Sequence, residues 1–504
     1  MKITGIGLTP GDLGFPFKLW REYQLEVAET ILNSTKRVIV LQAPTGIGKS
    51  AIVQIPQRIT NHRQVILTRT KQLQSQYETD GVLSLYGREN YICNRFPVLT
   101  AAQGICHLGQ QCHLRYAGCD YYDQKRLAVA STNAVLNYSY FFREANGPGQ
   151  FSNLTWAICD EGHSVPNELA ASYRILLKIS AARRAGLRPP KSDASIEEWI
   201  QWANKIYGRV KGLANRATAQ NAKDIEALFR AVSGLDRIAD PDNWVSEGNK
   251  WWADFRPIWV DSLARTALWP HASRWLFTSA TIDAPYVMSQ LGMSMDEVLS
   301  ISVPSIFPVS ARPLLICPEY SINHNSGDKE WNALVGAIDR VMSRFPGRRG
   351  LIHTGNYRLA QIIKERSNQS MRMIVHATED RANKLSLFKS DFGQGKVLVS
   401  PSMTEGVDLP YDLCAFQVIA KLPWPDQTNK LWVARMDSDP VRMESAYISE
   451  TISSITQAYG RGTRAEDDKS TTVILDRSFN RLWNKHRAQF PGFFKEAVQI
   501  ISNI

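Results

Sequence analysis

Short apolar runs recur along the chain with room for a helix between one and the next. They are Val38-Ile39-Val40-Leu41, Val65-Ile66-Leu67, Trp156-Ala157-Ile158-Cys159, Trp275-Leu276-Phe277, Leu351-Ile352, Val397-Leu398-Val399, Val418-Ile419-Ala420 and Val473-Ile474-Leu475. Their β-branched and aromatic content and their brevity predict buried strands, and the intervening stretches carry helical periodicity. Strands that are apolar throughout, alternating with helices, predict parallel sheets covered on both faces. Several runs end in a polar cluster, where such sheets place ligand-binding loops at the carboxyl ends of strands. Between about 166 and 262 the pattern changes. Strand signals vanish, helical spacing dominates, and Trp199, Trp202, Trp244, Trp251, Trp252 and Trp259 account for six of fourteen tryptophans. This block predicts a helical insertion whose tryptophans build its core, with base stacking as the competing use. Lys178, Arg183, Arg184, Arg188, Lys191, Lys205, Arg209 and Lys211 give it either a phosphate-contact surface or a solvated face.

The first strand runs into Ala43-Pro44-Thr45-Gly46-Ile47-Gly48-Lys49-Ser50. Strand, glycine-rich turn, then Lys-Ser opening a helix holds a nucleoside triphosphate. Backbone N–H groups and the helix N-terminus face phosphate, Lys49 adds a charge, and Ser50 can ligate Mg²⁺. Asp160-Glu161-Gly162-His163 closes the Trp156–Cys159 strand. Two successive carboxylates there suit Mg²⁺ retention by Asp160 and activation of water by Glu161. Thr278-Ser279-Ala280-Thr281 ends another strand with small hydroxyl residues able to relay between a nucleotide and a neighbouring domain. Gln457-Ala458-Tyr459-Gly460-Arg461-Gly462-Thr463-Arg464 places Arg461 and Arg464 three apart, on one helix face. Such paired guanidinium groups suit a γ-phosphate in transit.

At 504 residues the chain has room for about three domains, and it carries a formal net charge of +11, which suits a polyanionic partner such as nucleic acid. No run approaches the roughly 20 apolar residues of a membrane helix, and the N-terminus carries no export signal, so the seven cysteines are expected to be thiols or ligands. Four of them, Cys93, Cys106, Cys112 and Cys119, fall in one short window, without a Cys-x-x-Cys pair. Four thiolates suit a [4Fe–4S] cluster or tetrahedral zinc, and His107 and His113 keep a mixed zinc site open.

The order of these elements resembles the iron–sulfur branch of superfamily 2 helicases, the XPD/DinG family, over nearly the whole chain. Arg21-Glu22-Tyr23-Gln24 is similar to its adenine-side motif, Thr68-Arg69-Thr70-Lys71-Gln72 to motif Ia, Asp160–His163 to motif II and Thr278–Thr281 to motif III. Ser305-Ile306-Phe307-Pro308 with Arg312 resembles the start of the second motor, Ile352-His353-Thr354-Gly355-Asn356-Tyr357 motif IV, Thr404-Glu405-Gly406-Val407-Asp408 motif V, and Gln457–Arg464 motif VI. The family carries its metal module between motifs Ia and II and an arch between II and III, the intervals of the cysteine window and the tryptophan block.

The resemblance implies two RecA-like α/β motors, the first interrupted by an iron–sulfur module and a helical arch. The divisions expected are 1–87, 123–165 and 263–290 for motor 1, 88–122 for the cluster module, 166–262 for the arch and 291–504 for motor 2. Lys49, Glu161, Gln457, Arg461 and Arg464 would be catalytic. Gln24, Thr45, Gly46, Gly48, Ser50, Asp160, His163, Gly406 and Asp408 would hold ATP, with Ser50 and Asp160 on Mg²⁺. Cys93, Cys106, Cys112 and Cys119 would hold a [4Fe–4S] cluster, and Thr68, Arg69, Thr70, Thr354 and Tyr357 would contact nucleic acid. The expected protein is a cytoplasmic, monomeric, prokaryotic or phage-encoded motor. It would move 5′→3′ on single-stranded DNA and unwind forked or tailed duplexes. A translocase that remodels protein–DNA or RNA–DNA complexes with little unwinding is the alternative, and a binding module with a dead motor a third. Only some 15 residues precede the motor, so the exonuclease extension of some relatives is expected to be missing. Ile306 replaces a Pro of the family pattern. Gly162 replaces the Ala of the family's box and is expected to loosen His163.

Overall fold

The structure is a computed structural model and describes residues 7–104, 106, 111–217, 221–323, 325–390, 395–401, 409, 411–462 and 468–502. Two sheets of seven parallel strands dominate it, as the apolar runs predict. In the first, the spatial order is Val298–Ser302, Val38–Gln42, Ala272–Ser279, Leu154–Asp160, Gln64–Thr68, Asn133–Asn137, Leu83–Ser84. The expected boundary at 290/291 is therefore too early: Val298–Ser302 pairs with the Val38–Gln42 strand and belongs to the first sheet. In the second it is Met373–Val375, Val397–Ser400, Gly350–His353, Phe416–Ile419, Thr471–Asp476, Leu314–Tyr320, Val498–Ile500.

Successive side chains of a strand face opposite ways, and both faces here are apolar because both are covered. Val38, Val40, Val65, Leu67, Trp275 and Phe277 enter one core layer, while Ile39, Leu41, Ile66 and Leu276 enter the other. Because every strand is parallel, all carboxyl ends lie on one edge. The strand order sets Ala272–Ser279 between the P-loop strand and the Asp160 strand, with Thr278 opposite Asp160 and Gln42 opposite Ser279. Ser279 is thereby fixed between the phosphate loop and the paired carboxylates.

The cysteine window interrupts the first sheet. Ile92–Cys93 and Phe96–Thr100 pair as an antiparallel hairpin, and the helix Asp120–Ala130 returns the chain to the sheet. That helix is bolted to the next, Tyr138–Asn146, by a buried ion pair, Lys125 Nζ to Glu144 Oε2 at 2.6 Å.

The block from 166 to 262 departs from the helical expectation. It contains the helices Ile196–Asn215 and Ala222–Asp236, but also a three-stranded antiparallel sheet of Ile175–Lys178, Trp252–Pro257 and Trp244–Gly248. These strands are four to six residues long, so their period-two pattern is brief beside the flanking helices. Buried Asp254 takes a bidentate pair from Arg174 (2.7 Å twice) and a third contact from Arg256, which fixes the sheet to the chain entering it. Trp199 is buried in this core, Trp202 and Trp244 pack at its margin, and Trp251 stands 62% exposed in the hairpin turn.

At the start of the second motor, buried Arg312 donates to the Phe307 carbonyl (3.1 Å), the Tyr459 hydroxyl (3.1 Å), the Phe493 carbonyl (2.6 Å) and the Glu496 carboxylate. One guanidinium thus joins three distant segments, and Ile306 beside it stands in an ordinary turn with no loss of these contacts. Removing one partner of such a buried set strands the others. Arg312→Met is expected to cost about 2–4 kcal/mol in chemical denaturation.

Candidate nucleotide site between the two sheets

The phosphate loop is shaped by its glycines. Gly46 (φ 87°) and Gly48 (φ 81°) both adopt the left-handed region that disfavours side chains, and the helix Lys49–Thr60 begins at once. A Cβ on Gly48 would collide with the Gln24 carboxamide. Buried Gln24 is spent on the loop itself: its Nε2 donates to the Ile47 carbonyl at 2.9 Å, and its Oε1 accepts from the Arg21 N–H at 2.9 Å. Lys49 Nζ lies within the loop, donating to the Ala43 and Pro44 carbonyls at 3.2 and 3.3 Å. Ser50 and Thr45 follow from the same turn.

Asp160 is buried at its strand end. Its carboxylate accepts from Tyr77 (3.1 Å) and from the Glu161 N–H (3.0 Å), and its carbonyl accepts from Tyr138 (2.7 Å). Burial, then the adjacent Glu161 charge, push the Asp160 carboxyl up, while Lys49 and Tyr77 pull it down. Glu161 turns out of the strand at φ 52° and stays 36% exposed. Burial would raise its pKa, but His163, Lys49, the Ser279 hydrogen bond and Arg461 outweigh it and hold the carboxylate charged.

A chain of polar contacts leads from Glu161 into the second motor. Ser279 Oγ donates to Glu161 Oε2 at 3.2 Å, and His163 Nδ1 lies 2.8 Å from Ser279 Oγ and 3.3 Å from Glu161. On its other side, His163 Nε2 is 2.7 Å from Gln457 Nε2. With the Gln457 amide donating, His163 carries its proton on Nδ1, aimed at Ser279 and Glu161. A second branch runs from Ser279 to Thr281 (3.4 Å) and on to Ser453 Oγ, which donates to Thr281 at 2.9 Å. Ser453 and Gln457 share one helix, Pro440–Tyr459, whose following residue, Gly460, meets Thr45 of the phosphate loop: a Cβ there would sit 3.9 Å from Thr45 Cγ2. Arg461 comes next.

Gly162 does not loosen this arrangement. A Cβ there would stand 2.9 Å from Phe277 Cβ and 3.1 Å from its Cα, so glycine lets the His163 turn press onto the neighbouring strand. The missing methyl sets the seat of His163.

The expected nucleic-acid residues divide. Thr68 and Thr354 are buried and bonded locally, and Thr70 caps the helix Lys71–Thr79. Arg69 pairs with Glu168 at 3.1 Å near the surface, and Tyr357 is 42% exposed, its hydroxyl accepting from Thr378. Gly406, Asp408, Arg464 and His107 lie outside the described residues.

Cys93, Cys106, Cys112 and Cys119 line one small cavity, with Arg95 and Arg115 at its margin and Leu114, Tyr121 and Tyr122 completing it. Among the described residues no carboxylate or imidazole lines it, His113 included. Gly104 keeps space open between two of the sulfurs: a Cβ would lie 3.2 Å from Cys93 Sγ and 3.8 Å from Cys106 Sγ. Among the described residues no three His, Cys, Asp or Glu side chains are grouped to hold one metal ion. Sequence reading missed Tyr77, Tyr138 and Ser453, which sit in ordinary amphipathic helices with no motif of their own.

Two family models match the chain, the helicase C-terminal domain over residues 347–497 and the type III restriction enzyme res subunit over residues 17–187. The chain is 20% identical to ATP-dependent DNA helicase YoaA of Escherichia coli, over 91% of each. It is 24% identical to ATP-dependent DNA helicase DinG of Photobacterium profundum, over 56% of this chain and 43% of that one. Its fold is similar to that of a solved XPD helicase (TM-score 0.66, 14% identity, 95% of this chain and 99% of that one) and of S. tokodaii Xpd4 (0.61, 13%, 95% and 100%). Two parallel sheets meeting at a phosphate loop are the architecture the chain shares with those solved helicases. Within that architecture, the matches make the chain similar to the XPD/DinG-like helicases.

Gly162→Ala must push the Phe277 strand aside. It is expected to destabilise the protein by about 1–3 kcal/mol in thermal or chemical unfolding, although it restores the family's residue.

Proposed function

We propose that the chain is an ATP-hydrolysing DNA helicase that moves 5′→3′ along one strand and parts the duplex ahead of it. The observation that carries this reading is the hydrogen-bond chain from Glu161 through Ser279 and His163 to Gln457. It ties the group best placed to activate water to the opposite motor, so hydrolysis and relative motor position change together. The relatives named as ATP-dependent DNA helicases support the substrate.

In this mechanism the backbone of Thr45, Gly46 and Gly48 and the Lys49 ammonium bind the triphosphate, and Gln24 holds the loop in shape. Ser50 and Asp160 would hold Mg²⁺, which offsets charge on the phosphates when bound. Glu161, kept ionised by its neighbours, accepts the proton of the attacking water, and His163 orients it. Arg461 enters from motor 2 as the γ-phosphate contact, with Arg464 assigned beside it and Gly406 and Asp408 assigned to the same cleft from sequence. Arg69 and Tyr357 are the side chains best exposed to a nucleic-acid strand. In this reading 88–122 is the cluster module and 166–262 the arch.

The cysteine cavity fits a [4Fe–4S] cluster. Four thiols share one pocket, no carboxylate or imidazole of the described residues lines it, and Arg95 and Arg115 offset the negative charge of a thiolate-bound cluster. Cys93, Cys106, Cys112 and Cys119 would hold it, and its binding energy would fold the module.

The test is ATP turnover with and without single-stranded DNA, on protein prepared without oxygen. Glu161→Gln is expected to bind ATP and lose about 10²–10⁴-fold in turnover, whereas Lys49→Ala loses binding as well. ATP turnover with no unwinding in the intact protein would favour the translocase. Anaerobic protein is expected to be brown with about four irons per chain. Cys112→Ser is expected to lose that iron and most unwinding of a 5′-tailed duplex while retaining ATP turnover. Stoichiometric zinc in colourless protein would overturn the cluster.

A further inference from the structure

The tryptophan block ends in an unusual contact. Ile258 and Trp259, the last residues of the insertion before it rejoins motor 1, pack against Trp432, Met443 and Ala446 of motor 2. The Arg435 guanidinium lies between two indoles, 5.1 Å from Trp259 and 5.1 Å from Trp432. Its Nε donates to the Ile258 carbonyl at 3.2 Å, and its Nη1 faces Glu450 at 3.8 Å. Arg442 covers Trp259 at 4.2 Å, and the Trp259 Nε1 donates to Ser438 Oγ at 3.0 Å. Arg435 is buried, so these contacts are sheltered from water and strengthened by it.

We propose that this clamp is a positioning device for the nucleotide site: Trp259 and Arg435 hold one end of the helix whose other end completes that site. Pro440–Tyr459 begins at the residue that ends the helix Lys430–Ser438, Asp439 capping it. At its far end, about 30 Å away on a rise of about 1.5 Å per residue, it delivers Gln457 to His163 and leads into Arg461. Between the two ends it is pinned to motor 1 by Ser449 on Asp283 (3.2 Å) and Ser453 on Thr281. A stiff rod held at both ends transmits angle as well as position, so the insertion fixes how motor 2 meets the phosphate loop without touching a nucleotide. The contact stabilises the closed arrangement in which Gln457 and Gly460 reach motor 1. Weakening it lowers the closed fraction, and apparent nucleotide affinity falls in proportion.

The inference rests on the helicase reading, and the experiment separates the two. Steady-state ATP turnover with single-stranded DNA is measured for the intact protein, Arg435→Gln, Trp259→Phe and the conservative Arg435→Lys, beside thermal melts. Arg435→Gln is expected to raise the apparent KM for ATP about tenfold with kcat at saturating ATP within about twofold of the intact protein. Trp259→Phe, which keeps a ring for Arg435 and removes only the Ser438 donor, is expected to raise KM by less, and Arg435→Lys to restore most of the affinity. A purely structural contact would lower the melting temperature and leave KM unmoved. Unchanged KM in folded Arg435→Gln and Trp259→Phe overturns the proposal. Absence of DNA-stimulated turnover in the intact protein overturns the helicase reading instead.

Discussion

The contact between His163 and Gln457 joins two side chains 294 positions apart that belong to different sheets. Each half of the site is built soundly by its own sheet. Strand order sets the phosphate loop, Ser279 and Asp160 along one edge, and the helix Pro440–Tyr459 carries Gln457 and Gly460 to it. Neither half has the means to coordinate hydrolysis alone, because Glu161 takes its orientation from His163 and His163 is held from the far side. The constraint is geometric before it is chemical. A shift of the helix by a fraction of a turn breaks the bond and leaves His163 with its contacts on the near side, to Ser279 and Glu161.

The strength of the bonds differs in a way that suits a motor. Those that hold each motor together are buried and multiple: Arg312 serves four acceptors, and Lys125 and Glu144 pair out of water. Losing Lys125 strands the Glu144 charge in the interior, and losing Arg312 strands buried neutral acceptors. Beside the Arg435 clamp, those that cross between motors near the site are polar contacts such as Ser453 on Thr281 and Ser449 on Asp283, each worth about 1 kcal/mol net. An interface of that kind can open and close without any partner paying a large desolvation cost. The site sits on the weak side of this division, and it can therefore respond to a bound nucleotide.

Much of this was legible in the sequence because it is local. Gly46 and Gly48 announce a turn that needs left-handed backbone, and apolar runs of four residues announce buried strands whatever surrounds them. Four cysteines in one window announced a shared pocket for the same reason. What escaped reading lies in contacts between distant segments. The strands of the insertion are too short to outvote their helices. Thr68, Thr70 and Thr354 matched nucleic-acid motifs, yet their side chains are turned to backbone groups, Thr68 to the Leu136 carbonyl of the next strand and the other two to their own turns, which a motif does not record. Gly162 was misread because its meaning is the face of Phe277 on the next strand, 115 positions on. Tyr77 reaches Asp160 from an unremarkable helix.

Trp259 shows the same limit in its most consequential form. Read from spacing, it belongs to the core of the insertion, and it is buried; but the core it enters is shared with motor 2. A tryptophan within a domain and one between domains have the same burial and the same neighbours in sequence. What separates them is the partner, here a guanidinium that also stacks on Trp432. An insertion covalently part of motor 1 is thereby packed on motor 2, and any change in the angle between the motors has to be absorbed by the insertion or by the clamp. The bidentate Arg174–Asp254 pair stiffens the insertion where it leaves motor 1. The clamp at the other end sets a buried guanidinium against two indoles, with single bonds to the Ile258 carbonyl and the Ser438 hydroxyl. Under the proposed role of the clamp, movement of motor 2 is passed to the insertion where Trp259 meets Arg435, beside the strand Trp244–Gly248 that also faces the helix Lys430–Ser438.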